Sequence, residues 1–270
     1  MSLAELPAAP VLVELERAFS EFSLLLFRGQ EVTPDQQVDF SRCFGELEQH
    51  VFSHWCLPEH PEILVVSNVQ LNGEPVGVYN AGRYWHTDLS YMQAPSRGSL
   101  LYALEVPHAD GRSLGNTYFA SAAAAYASLP AATRNRVSDL KGEFSLAHQR
   151  SKLMSEGDQR AQLSDTEAAA TPTAMHALVQ RHPVSAKPLL YVNEGHTQAI
   201  VGLSDQQSEQ LLAELCAHIT RDDNVYCHRW QVGDVLMWDN IATQHLATFD
   251  YALPQRRLMH RTTIAGDTLG

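Results

Sequence analysis

Two stretches of this chain carry residue types that could bind a metal ion. In Trp85-His86-Thr87-Asp88 an imidazole and a carboxylate stand two positions apart. Side chains alternate between faces in extended backbone, so a strand here would set His86 and Asp88 side by side with Thr87 opposed. That is two of the three ligands of a facial two-histidine, one-carboxylate site, which leaves coordination positions open for a cosubstrate and oxygen. The remaining histidine must come from elsewhere, and Gly233-Asp234-Val235-Leu236-Met237-Trp238-Asp239-Asn240 leads through a short connection to His245. Among 13 histidines a His-x-Asp tripeptide arises about once by chance. A second copy, His108-Ala109-Asp110, lies between Pro107 and Gly111, where we expect a turn.

Beyond His245 come Arg256, Arg257 and Arg261. Holding a dicarboxylate beside a metal calls for a planar, permanently charged fork, which is the chemistry of arginine. On a strand, Arg257, Met259 and Arg261 share one face and Arg256, Leu258 and His260 the other, so Arg257 and Arg261 are expected to face a cavity and Arg256 to point outward. Each piece alone has an ordinary explanation: a hairpin turn at Gly233-Asp234, a core Trp238, solvated arginines. The order of the pieces is harder to dismiss. A zinc hydrolase would need a catalytic acid poised by the metal, and nothing near His86 or His245 marks one.

Several elements must position these residues. Thr33-Pro34-Asp35-Gln36 reads as a capped helix start, with Phe40 and Phe44 on the buried face and Gly45 at the end. Leu24–Phe27 reads as a buried strand, and Ile63–Ser67 and Ser99–Val106 as two more. Ser204 with Gln207 caps an amphipathic helix carrying Leu211, Leu212, Leu215 and Ile219. Strand-like pieces follow at Val225–Trp230, Asp234–Trp238, Gln244–Phe249 and Arg257–Ile264. The fold expected is therefore predominantly β with flanking α-helices. From Ser151 to about Met175 the chain lacks apolar periodicity and reads as a surface excursion, either a lid or a plain solvated loop.

The 270 residues, 44% hydrophobic and 19% charged, suit one domain over 1–270 with a sizeable core. A net charge of −12 argues against nucleic acid as partner. Four cysteines without a CxxC pair indicate neither a zinc ribbon nor a disulfide framework. No stretch reads as a signal peptide or membrane span. We expect a soluble cytoplasmic protein, monomeric or homo-oligomeric, that takes a small anionic molecule and not a membrane.

Taken together these residues resemble the taurine and 2,4-dichlorophenoxyacetate dioxygenase family of Fe(II)- and 2-oxoglutarate-dependent oxygenases, from about Leu24 to Asp267. Besides the metal motif, the resemblance rests on Phe27-Arg28-Gly29-Gln30, Phe44-Gly45, Leu104-Glu105-Val106-Pro107, Gly115-Asn116-Thr117, Leu190-Tyr191-Val192-Asn193, Trp238-Asp239-Asn240 and the Arg257 to Arg261 spacing. It implies a double-stranded β-helix, a jelly-roll of the cupin kind. It implies Fe(II) on His86, Asp88 and His245, and 2-oxoglutarate held by Thr117 and Arg257. The substrate's acidic group would be met by Arg261, with His50 on the substrate side. Where taurine enzymes carry a tyrosine after His50, this chain has Phe52 and Ser53, which implies another substrate and makes Ser53 a candidate contact. The implied reaction uses O2 to hydroxylate a small organic acid (a carboxylate, sulfonate or aryloxy acid) and converts 2-oxoglutarate to succinate and CO2. Halogenases of this kind lack the acid found here at Asp88, so hydroxylation is favoured. The alternatives are amino-acid or natural-product tailoring on the same iron core, by hydroxylation, desaturation or stereoinversion, and a non-catalytic jelly-roll binding module.

Overall fold

The computed structural model describes residues 1–79, 81–158 and 161–269. At its centre is a six-stranded antiparallel sheet in the order Leu24–Phe27, Val235–Asp239, Gly98–Glu105, Leu258–Ile264, His60–Ser67 and Cys56–Leu57. Register assigns its two faces. Leu236 pairs with Leu101, Met259 with Ala103 and Arg261 with Leu101. Those side chains, with Leu64, Val66 and Trp238, point inward, where they pack with Phe119 of a three-stranded sheet made of Val225–His228, Thr117–Ser121 and Thr243–Ala247. The alternate residues Leu100, Tyr102, Val235, Met237 and Ile264 face outward and are covered by Phe19, Phe40 and Phe44. Because both faces are covered, the central strands read as unbroken apolar runs. A slip of one residue would turn Arg261 out of the interior.

The helix Pro34–Arg42 begins with the capping box its sequence indicates: Gln36 N donates to Thr33 Oγ1 at 3.3 Å, and Thr33 N to Gln36 Oε1 at 2.9 Å. Phe40 and Phe44 are buried edge-to-face, centroids 5.4 Å apart. The helix Asp205–Ile219 carries the second capping box, from Ser204 and Gln207. Its Leu211, Leu215 and Ile219 pack on Ala120, Leu178, Leu190 and Ile200. Leu24–Phe27 is a strand, as expected, but it is an edge strand and not a buried one: it pairs on one side only, and Leu26 is exposed. The second His-x-Asp does form a turn, since Asp110 and Gly111 both have positive φ between the short paired strands His108–Ala109 and Arg112–Ser113.

The segment expected as a surface excursion, 151–175, holds regular structure. It takes in the end of the helix Leu146–Ser155, the capped helix Asp165–Ala170 and the start of the strand Ala174–Ala177. Leu153 and Ala161 are buried beside Tyr84, which ties the segment to the chain just before His86. Gln159 and Arg160 lie outside the described residues. The four cysteines are free thiols, and among the described residues no helix is long and apolar enough to cross a membrane.

Several histidines lowered by burial bear on stability, and His260 is one of them. On the outer face of the central sheet, burial, and secondarily His60, pushes the His260 imidazole from 6.5 down to about 4. The unfolded chain therefore binds more protons than the folded one between those values, and stability falls as pH drops through that window. We expect urea midpoints to decline from pH 7 to 4 and His260→Gln to flatten that decline. Identical slopes for both proteins would remove His260 as a group responsible.

Candidate metal centre

His86 and His245 are joined by a two-residue antiparallel bridge: His245 N donates to His86 O at 2.8 Å and His86 N to His245 O at 3.1 Å. This pairing sets the imidazole centroids 4.1 Å apart. His86 Nδ1 lies 2.8 Å from Tyr84 O, with His245 O at 3.1 Å. Carbonyls only accept, so Nδ1 carries the proton and Nε2 is left with its lone pair. The Nε2 atoms of His86 and His245 stand 3.7 and 3.9 Å from Asp88 Oδ1. All three side chains are buried, and their ligand atoms lie within 4.8 Å of one another.

The expected strand across 86–88 is not formed. Only His86 bridges, and Asp88 opens a turn in which Leu89 has φ +56°. Side chains hold the turn: the Thr87 hydroxyl donates to Asn240 O, and Ser96 Oγ donates to Asp88 O, a carbonyl a strand partner would have used, at 2.9 Å. His86 and Asp88 converge all the same.

Asp88 is oriented by a relay that the sequence reading did not include. Trp238 Nε1 donates to Asn240 Oδ1 at 2.7 Å, which fixes the amide, and Asn240 Nδ2 then donates to Ser96 Oγ and Ser99 Oγ, each at 2.9 Å. Ser99 Oγ donates to Asp88 Oδ2 at 2.7 Å, and Arg261 Nη1 to Oδ1 at 2.8 Å. Burial alone would raise the Asp88 carboxyl, but the Arg261 guanidinium and the two histidines outweigh it and hold it well below the ordinary carboxylate range. Burial, and then His86, pushes the His245 imidazole well below its ordinary value. An ionised carboxylate with neutral imidazoles is the donor set a divalent first-row metal requires.

The arginines follow the alternation. Arg257 and Arg261 are buried, at 3% and 8% exposure, whereas Arg256 points out and holds Glu105 through bonds of 2.6 and 2.8 Å. Arg257 lies against Gly115 and Tyr251. At φ +65°, a Cβ on Gly115 would sit 2.9 Å from Tyr251 Cε1 and 3.0 Å from Arg257 Cδ, so only glycine fits. Thr117, two residues on, is buried and accepts from Trp230 Nε1 at 2.9 Å. Among the described residues, the Nε atoms of both Arg257 and Arg261 are buried without a hydrogen-bond partner.

A cleft opens over His86 and Asp88. His50 and Arg261 line it together with His86 and Asp88. His50 Nδ1 accepts from Phe52 N at 3.2 Å, and burial, then Arg261, brings its imidazole down to about 3. Ser53 is not brought to this cleft: it is exposed at the start of a 3-10 turn, and Phe52 lines the wall instead. The wall also includes His196 and Arg150, which the sequence reading passed over. His196 lies in a polar turn and Arg150 on a short helix with few apolar residues, so no periodicity marks them.

Two buried imidazoles and a carboxylate converging beside a cleft, with the Arg261 guanidinium on the carboxylate, define the mononuclear non-haem iron oxygenase class. The match to the family model for the taurine catabolism dioxygenase TauD, TfdA family spans residues 2–263, and the chain belongs to this family. It is 34% identical to the α-ketoglutarate-dependent 2,4-dichlorophenoxyacetate dioxygenase of Cupriavidus pinatubonensis, over 95% of this chain and 89% of that one. It is 33% identical to the pentalenolactone F synthase of Streptomyces arenae, over 93% and 85% respectively. The crystal structure of AAD-2 in complex with Mn(II) and N-oxalylglycine superposes with a TM-score of 0.85 at 30% identity, covering 100% of this chain and 93% of that one.

Groups that orient a metal-bound carboxylate typically change metal affinity by roughly 10- to 100-fold when removed. Ser99→Ala is therefore expected to weaken Mn(II) binding by about that factor in titration calorimetry. Affinity equal to the wild type would mean that Ser99 does not orient the ligand.

Proposed function

We propose that this protein is an Fe(II)- and 2-oxoglutarate-dependent dioxygenase that hydroxylates a small organic acid, working as one domain over 1–270 with a double-stranded β-helix core. The observation that carries the reading is the buried His86, Asp88 and His245 cluster with two inward guanidinium groups on the adjoining strand. When bound, Fe(II) with 2-oxoglutarate and O2 supplies the oxidative chemistry, in which 2-oxoglutarate becomes succinate and CO2 and a substrate C–H bond is hydroxylated.

The chain's own residues do the rest. His86, Asp88 and His245 would hold the ion. Arg257 and Thr117 would receive a carboxylate of 2-oxoglutarate near Gly115, where the unpartnered Arg257 Nε offers a desolvated donor. Arg261 keeps Asp88 ionised through Nη1 and has its own Nε to give to the acidic group of the substrate. His50, held neutral, would border that group without adding charge. Ser53, exposed as it is, would reach the substrate only from the rim. The segment 151–175 would screen the cleft from water, since Leu153 and Arg150 of its leading helix form part of the wall. Free thiols suit a reducing cytoplasm.

A second reading, tailoring of a natural product on the same core, is favoured by the similarity to pentalenolactone F synthase. A panel of aryloxyacetates, sulfonates, amino acids and terpenoid lactones, assayed for succinate with Fe(II), ascorbate and 2-oxoglutarate, separates the two. Stimulation by lactones or amino acids alone would sink the organic-acid version. Absence of succinate with every member would sink both and favour a binding module. Arg257→Gln removes a charged hydrogen-bond donor and is expected to raise the KM for 2-oxoglutarate roughly 10- to 100-fold. An unchanged KM would take Arg257 out of this role.

A further inference from the structure

The cleft over His86 and Asp88 is lined by three formally charged side chains besides its histidines: Asp88, Arg261 and Arg150. Arg261 is committed to Asp88 at 2.8 Å, so these two largely cancel. Arg150 is the other guanidinium of the wall. Its guanidinium lies over the ring of Phe52, 4.9 Å from the centroid, and Phe52 faces the same cleft. Its Nε donates to Ala161 O at 2.8 Å, and Asp158 and Glu167, neither of which lines the cleft, act on it electrostatically.

Arg150 is carried on the helix Leu146–Ser155, outside the two main sheets. That helix is fastened where it must be for the residue to face the cleft. Lys152 Nζ reaches Glu194 at 2.8 Å and lies 3.9 Å above the Tyr84 ring, and Glu156 is 3.7 Å from Arg83. Leu146, Gln149 and Leu153 of the same helix line the cleft with it. Both Arg150 and Arg261 act electrostatically on His50 and Tyr91, so the two guanidinium groups address the same part of the pocket.

We propose that Arg150 is a second anion-binding residue of the substrate cleft, selecting an organic acid whose charged group is met by Arg150 and Arg261 and whose apolar body lies against Phe52, Leu64 and Leu89. This rests on the organic-acid reading above and adds the residue that discriminates acid from neutral analogue. An aromatic-stacked guanidinium offers its edge donors to an oxyanion while its face stays packed. It keeps that charge at every working pH.

The test compares 2,4-dichlorophenoxyacetate with its neutral primary amide, with KM and kcat read from succinate formation. For Arg150→Gln we expect the KM of the acid to rise roughly 10- to 100-fold with a smaller change in kcat, and the preference for acid over amide to collapse. Arg150→Lys should recover most of that preference. Arg150→Met, which keeps the packing over Phe52 without the charge, should behave as Gln does and carries the test if the Gln protein does not fold. Unaltered discrimination in Arg150→Gln or Arg150→Met would overturn the proposal, as would a Lys variant as impaired as Met. Wild-type protein that gives no succinate with any acid of the panel would instead overturn the organic-acid reading and this proposal with it.

Discussion

The site depends on how one buried carboxylate is shared. Asp88 gives Oδ2 to Ser99 and Oδ1 to Arg261, and the two imidazole Nε2 atoms stand on the Oδ1 side. Burying such a charge is costly unless it is paired and hydrogen-bonded. Removing one partner of a buried pair costs roughly 3–5 kcal/mol, so Arg261 supports the fold around Asp88 as well as facing the cleft. The Trp238, Asn240 and Ser99 chain extends this dependence into the central sheet. Trp238 pairs with Ser99 across adjacent strands, and the register that packs the core therefore also aims the carboxylate.

Much of this was legible in the chain. Alternation sorted Arg257 and Arg261 from Arg256 because a covered strand has only two faces. The capping boxes at Thr33 and Ser204 were legible because a cap is a local bargain between side chain and backbone, made within four residues. What could not be read depended on distant partners. Ser99 is an ordinary strand serine until Asn240 arrives from far along the sequence and the turn at 88 brings Asp88 back to it. The turn after His86 exists because Thr87 and the Asp88 carbonyl find Asn240 and Ser96. Leu24–Phe27 looks like any apolar run, and only sheet order makes it an edge. Ser53 and Phe52 are neighbours, yet the 3-10 turn sends one outward and leaves the other on the wall.

The charge of the chain sharpens the picture. At −12 overall, the protein repels anions at a distance, yet its interior holds Arg257 and Arg261 with donors unspent. Arg150 puts a further guanidinium on the cleft wall. Water-poor walls strengthen such fields locally, while the acidic exterior is screened within about 8–10 Å at ordinary salt. An anion would thus be recognised at short range, after entry and not during approach.

The reciprocal backbone bridge between His86 and His245 has a mechanical corollary. The separation of the two imidazoles is tied to main-chain hydrogen bonds, whereas Asp88 sits on a local turn in which Met92 N donates to Leu89 O at 2.9 Å and side chains fix the carboxylate. The two kinds of ligand are thus anchored differently, the nitrogens through backbone pairing and the oxygen through Ser99 to the strand that carries Trp238. An ion held here would meet that difference, and selection among divalent ions by size would fall on the packing behind the carboxylate.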